Sequence, residues 1–165
     1  MSNRGGHDGV HSAKHELVRD PEITVEGAIN VFLADTFFLM AKTQGCHWNA
    51  TGQNFIAVHH LLEAQYRELF EAVDQIAERA RSLRLIIPCG LLPLLELATL
   101  EEGECRVTTN HATRILVADH MAMAEQGRDL AEDAEEADDP ARRDMLVGRI
   151  AVHEKAAWLL RSHLH

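Results

Sequence analysis

The chain has 165 residues, 46% of them apolar and 25% charged, the size and mix of one globular domain able to bury its own core. Sixteen Lys and Arg against twenty-six Asp and Glu give a net charge of −10, which argues against a basic nucleic-acid binder held by phosphate contacts and suits a protein that handles cations. Three cysteines, Cys46, Cys89 and Cys105, are odd in number and lack framework spacing, which argues against a disulfide-stapled secreted module and for a reducing, cytoplasmic compartment.

Residues 1–20 read as a mobile tail with few apolar groups and no apolar signal segment. Arg4, Lys14 and Arg19 balance Asp8, Glu16 and Asp20, so the tail is formally neutral; His7, His11 and His15 recur every four residues and would make it basic near pH 6. Residues 21–165 read as a single four-helix domain. Val25, Ile29, Leu33, Phe37 and Met40 form one helical stripe, widened by Phe32 and Leu39, with Asp35 off the stripe in a position to stay wet. Thr51-Gly52 supplies the stop. Phe55, Val58, Leu62, Tyr66, Leu69, Val73, Ile76, Ala80 and Leu83 step by three or four without Pro or Gly, predicting a helix of roughly thirty residues with Asn54 as its N-cap.

Leu85–Glu102 is a connector in which Pro93 can open a short helix. The stretch from Leu83 to Leu100 is the most apolar of the chain, but Arg84, Pro88, Gly90, Pro93 and Glu96 prevent it from spanning a bilayer as one helix. A third long helix is predicted from Glu104 to about Ala134. A fourth begins at Asp139-Pro140, with Leu146, Ile150, His153, Ala157, Leu160 and Leu164 as its stripe and His153 as a satisfied core histidine. No alternating strand pattern is present. The expected fold is all-α, a ferritin-like four-helix bundle with a short helix in the crossover between the second and third long helices.

On the second helix His59 and Glu63 are four residues apart, as are Asp74 and Glu78, so each pair offers two metal ligands on one face. His47 stands just before this helix. Glu63 and Asp74 are eleven residues apart, roughly 16 Å along a straight helix, while metal–ligand bonds are roughly 2 Å. The two pairs therefore make two separate sites, or a second chain packed antiparallel about a two-fold axis brings one pair beside the other. His with carboxylate suits Fe(II) or Zn, with Mn also able to substitute, and does not suit a soft-metal thiolate trap. His111 and His120 are further candidates for a second metal site. His60 faces about 100° away from His59 and is not counted as a ligand.

The run Cys46-His47-Trp48-Asn49-Ala50-Thr51-Gly52-Gln53-Asn54-Phe55-Ile56-Ala57-Val58-His59, followed by Glu63, Tyr66, Asp74 and Ala77-Glu78-Arg79, resembles the Dps family of miniferritins. The resemblance implies a hollow homo-dodecamer with an iron-oxidising centre at its two-fold interface. His47, His59 and Glu63 would come from one subunit and Asp74 and Glu78 from its partner, holding two irons. The implied reaction is oxidation of Fe(II) by hydrogen peroxide, less efficiently by O2, with storage of ferric mineral and protection of DNA from oxidative damage. Trp48 would lie beside the centre as an electron or radical reporter, or serve as an ordinary interface aromatic. Glu125, Asp129 and Asp133 step by four along the third helix and would line an iron-admitting pore; a solvated helix end is the other reading.

DNA binding in that family often uses a Lys-rich tail. Here the tail has one Lys, two Arg and matching acids, so DNA binding is expected to be weak or absent at neutral pH, with weak binding and nucleoid association open to it once the tail histidines charge below about pH 6.5. The alternative to a ferroxidase is a non-enzymatic, nucleoid-associated DNA-binding cage. The chain is expected to have no membrane partner.

Overall fold

Five helices organise the residues that the computed structural model describes, 25–104 and 106–164: α1 (Val25–Asn49), α2 (Phe55–Ser82), α3 (Leu91–Leu97), α4 (Thr109–Glu136) and α5 (Pro140–Arg161). The tail carrying His7, His11 and His15 lies outside the described residues, as does Cys105. The four long helices form the expected ferritin-like bundle, with α1 packed on α2 and α4 on α5, and α3 lies against α1 within the crossover. Among the described residues there is no strand, and no helix is long and apolar enough to cross a membrane.

The stripes turn inward as their periods require. Ile29, Phe32 and Leu39 of α1, Leu62, Leu69 and Ile76 of α2, Leu116 and Met123 of α4, and Leu146 and Leu160 of α5 are fully buried. Gly127 lets α4 and α5 approach closely, since a Cβ there would stand 3.0 Å from Ile150 Cγ1. At the head of α5, Asp139 accepts from the Arg142 amide at 3.0 Å and also pairs with Arg79 from the end of α2. The Arg79 of the sequence motif is thus a clamp between two helix ends.

Three local expectations are corrected. Asn54 precedes α2, but its side chain caps nothing; its φ of 57° is left-handed, a conformation Asn tolerates, and it closes the turn begun by Gly52 at φ 118°. The third long helix starts at Thr109 rather than Glu104, because Thr108 is its N-cap and the residues before it are used elsewhere. There the Thr51 amide donates to Val107 O at 3.1 Å and the Thr109 amide to Thr51 O at 2.9 Å. Asp35 is not wet but fully buried. It accepts from the Thr99 amide and hydroxyl (both 2.6 Å), the Leu100 amide (2.9 Å) and Gln126 Nε2 (2.8 Å), donors that make burial of a carboxylate tolerable.

Candidate metal centre

The turn 50–54 folds α2 back on α1 and brings His47, in the last turn of α1, onto His59, in the second turn of α2. Their rings stack with centroids 3.8 Å apart and planes 20° from parallel. His47 Nδ1 lies 3.0 Å from His59 O, and His59 Nδ1 lies 3.0 Å from His47 O. A carbonyl only accepts, so each Nδ1 carries a proton, and Nε2 is the nitrogen that has the lone pair in the neutral ring. Backbone fixing of one ring nitrogen is how metal-binding imidazoles are commonly oriented. His47 is buried and Tyr66 packs edge-on against it, with centroids 5.3 Å apart.

Glu63 lies one turn beyond His59, where its Oε1 accepts from Arg67 Nη2 at 2.6 Å. That hydrogen bond, with the guanidinium charge, holds the Glu63 carboxyl below its ordinary range. Asp74 and Glu78 are both exposed further along α2. The helix is unbroken between the pairs, so the separation of roughly 16 Å stands. At about 100° per residue, eleven residues make three turns plus roughly 20°, so Glu63 and Asp74 share a face. Between them that face carries the exposed Phe70, which with Val73, Asp74 and Ala77 lines a shallow depression.

One chain therefore brings His47 and His59 together with Glu63 nearby and leaves Asp74 and Glu78 three turns away. Among the described residues, no three His, Cys, Asp or Glu side chains gather as a metal cage. Trp48, next to His47, is 67% exposed, and His60 is exposed. Sequence reasoning passed over Arg67, although its i,i+4 spacing from Glu63 was a readable signal.

Glu125, Asp129 and Asp133 are exposed along α4. Part of the surrounding charge is balanced within the chain: Arg128 donates to Glu125 at 2.7 Å and also pairs with Glu154 of α5, and Arg143 reaches Glu135 at 3.3 Å. The second metal site does not form. His111 is exposed, whereas His120 is buried with its Nδ1 2.9 Å from Nδ1 of His153, the core histidine expected on α5.

The model of the ferritin-like domain family matches residues 26–165. The chain belongs to the ferritin-like family, and within it to the Dps miniferritins. Iron storage and protection of DNA go with that family. The chain is 36% identical to an uncharacterized low temperature-induced protein of Nostoc sp. PCC 7120, over 84% of this chain and 80% of that one. It is 29% identical to the DNA protection during starvation protein of Agrobacterium fabrum, over 94% and 96% of the two chains. The crystal structure of a Dps protein from Bacillus brevis superposes with a TM-score of 0.81 at 30% identity, covering 86% of this chain and 95% of that chain.

Proposed function

We propose that the protein is a ferroxidase and iron store whose catalytic centre is shared between two subunits. One observation carries the reading. The pairs His59–Glu63 and Asp74–Glu78 lie at equal distances along α2 from the point between residues 68 and 69. A two-fold axis crossing there, with two copies of α2 antiparallel, sets His59 opposite the partner's Glu78 and Glu63 opposite the partner's Asp74, and does so twice. His47 and His59, with Nε2 lone pairs oriented by the backbone, complete a His and carboxylate set suited to Fe(II).

Fe(II) is the substrate, two ions at each centre, with Zn or Mn as competitors for the same ligands. Carboxylates favour the more highly charged ferric product, so binding energy itself promotes oxidation. Two ferrous ions each give up one electron to hydrogen peroxide; the O–O bond breaks, two protons are taken up and two waters leave. Pairing the electrons avoids release of a hydroxyl radical. Dioxygen is the slower oxidant. The ferric product is stored as mineral in a hollow dodecamer in the cytoplasm, fed through a pore lined by Glu125, Asp129 and Asp133. Trp48, beside His47, reports on or intercepts electrons at the centre. Protection of DNA follows from this chemistry rather than from tight DNA binding.

The test is the optical rate of Fe(II) oxidation after anaerobic addition of hydrogen peroxide. Wild type is compared with a His59→Ala, Glu78→Ala double variant, both verified as assembled. The expected result is a fast wild-type trace and at least a hundredfold slower one in the variant, on the order of losing aligned metal ligands. Equal traces would remove the proposed centre and leave a non-enzymatic cage.

A further inference from the structure

Arg67 stands among the proposed ligands but cannot itself bind a cation, and its position requires an explanation. Its guanidinium donates to Glu63 Oε1 at 2.6 Å and lies over the Tyr66 ring, 5.9 Å from the centroid. Glu63 is thus already partnered by a positive charge where Fe(II) would have to bind. Arg67 also has a second carboxylate within helical reach: Glu71, exposed, four residues on. The two pairings are not equal. An acid four residues N-terminal to its base is the favoured orientation on a helix, and the reverse order is weaker. Glu63 comes before Arg67 and Glu71 after it, which matches the pairing observed. On the single chain Arg67 is 67% and Glu63 34% accessible, so the ion pair there is weak. In the paired arrangement proposed above, the partner's Asp74 faces Glu63 and adds a second carboxylate that favours a divalent cation over one guanidinium.

Resting on the reading of His47, His59 and Glu63 as ligands, we propose that Arg67 is a built-in, exchangeable counter-ion. It neutralises Glu63 in the metal-free centre and passes to Glu71 when a divalent metal arrives. Arg67 is thereby a specificity-determining residue, not a catalytic one. A cation that gains only from the carboxylate competes with a guanidinium already in place. A cation that also takes the imidazole nitrogens has additional binding energy with which to displace it. The same exchange keeps a guanidinium charge from sitting against the metal.

The experiment is a Co(II) titration of the assembled protein, followed by the visible d–d bands, in a double-mutant cycle of Arg67→Ala and Glu71→Gln. Arg67→Ala is expected to tighten Co(II) binding by about threefold to tenfold, with the gain shrinking as salt is raised. Glu71→Gln alone is expected to weaken it by about twofold to threefold and to have no further effect once Arg67 is Ala. Unchanged or weaker binding in Arg67→Ala overturns the proposal, as does an equal effect of Glu71→Gln in both backgrounds. Glu63→Gln separates this from failure of the site itself. Wild-type Co(II) bands indifferent to Glu63→Gln would mean that the ligand assignment, and with it the role of Arg67, is wrong.

Discussion

The histidine pair buried between α4 and α5 shows how far a single hydrogen bond can determine a residue's chemistry. Arg149 Nη2 lies 3.5 Å from His153 Nε2, and a guanidinium only donates, so the proton of His153 is on Nδ1. That proton is given to His120 Nδ1, which leaves the His120 proton on Nε2, an atom without a partner among the described residues. Burial pushes His120 down to about 3, with Arg149 adding to the effect. Burial, then His120 and Arg149, holds His153 well below its ordinary value. The charged groups facing the pair are Arg149 and, paired with it, Glu68 of α2. Both imidazoles are neutral in the fold, while the unfolded chain takes up protons below about pH 6.5. The unfolded state then binds more protons, so stability is complete above that pH and is lost as pH falls toward 3. The thermal midpoint is expected to drop steadily between pH 7 and pH 4, and the drop to be shallower in a His120→Leu, His153→Leu variant. Equal slopes would place the acid sensitivity elsewhere. His153 was readable in sequence because it interrupts an apolar stripe; His120 was not, because its partner lies 33 residues away on another helix.

At the scale of elements, α1 shows what periodicity reveals and what it conceals. Its apolar stripe is clear, yet Asp35, Thr36, Lys42 and Thr43 are also buried, because α3 and α4 cover the sides that a stripe would leave to solvent. Lys42 is matched by Asp119 of α4 at 2.8 Å, and Asp35 by the end of the connector. Neither pairing has a local signature, since the donors that satisfy Asp35 come from residues 99, 100 and 126. The start of α5 was legible in its Asp139-Pro140 cap and that of α2 at Asn54, although Asn54 turns the chain by its left-handed backbone rather than by a side-chain bond. The Thr108 cap of α4, in contrast, lay behind a polar stretch that continued the helical pattern back to Glu104. Asp35 therefore fastens the crossover to the bundle. Asp35→Ala leaves the two amides and the Thr99 hydroxyl without their acceptor, with Gln126 Nε2 keeping only Thr99 Oγ1 at 3.0 Å, and is expected to cost about 2 to 4 kcal/mol. Hydrogen exchange at the Thr99 and Leu100 amides should accelerate together with a lowered melting temperature. Protection of both amides at the wild-type level would show that α3 is held by its packing alone.

At the scale of the whole molecule, the proposed ligand set is legible because its spacing obeys helix geometry, and its proposed division between two chains rests on the length of an unbroken α2. The same helix face explains the exposed Phe70: a side chain 68% accessible on one chain lies between two polar pairs, where a second copy of α2 would cover it. Charge then decides what else the assembly attracts. Each chain carries −10, and every added copy multiplies that charge. The exposed acids on α4 attract metal cations and repel phosphate alike. Neutralising phosphates needs a concentration of Lys and Arg, and residues 1–20 supply three such charges against three acids. Gel shift with linear duplex at pH 7.5 and moderate salt is therefore expected to show no retardation. Below about pH 6.5, His7, His11 and His15 add positive charge to every copy, and many weak contacts acting together can retard DNA. Removal of residues 1–20 should abolish any such low-pH shift without slowing iron oxidation. Retardation that persists at pH 7.5 in the truncated protein would place a DNA-binding surface on the helical bundle, against the charge it carries.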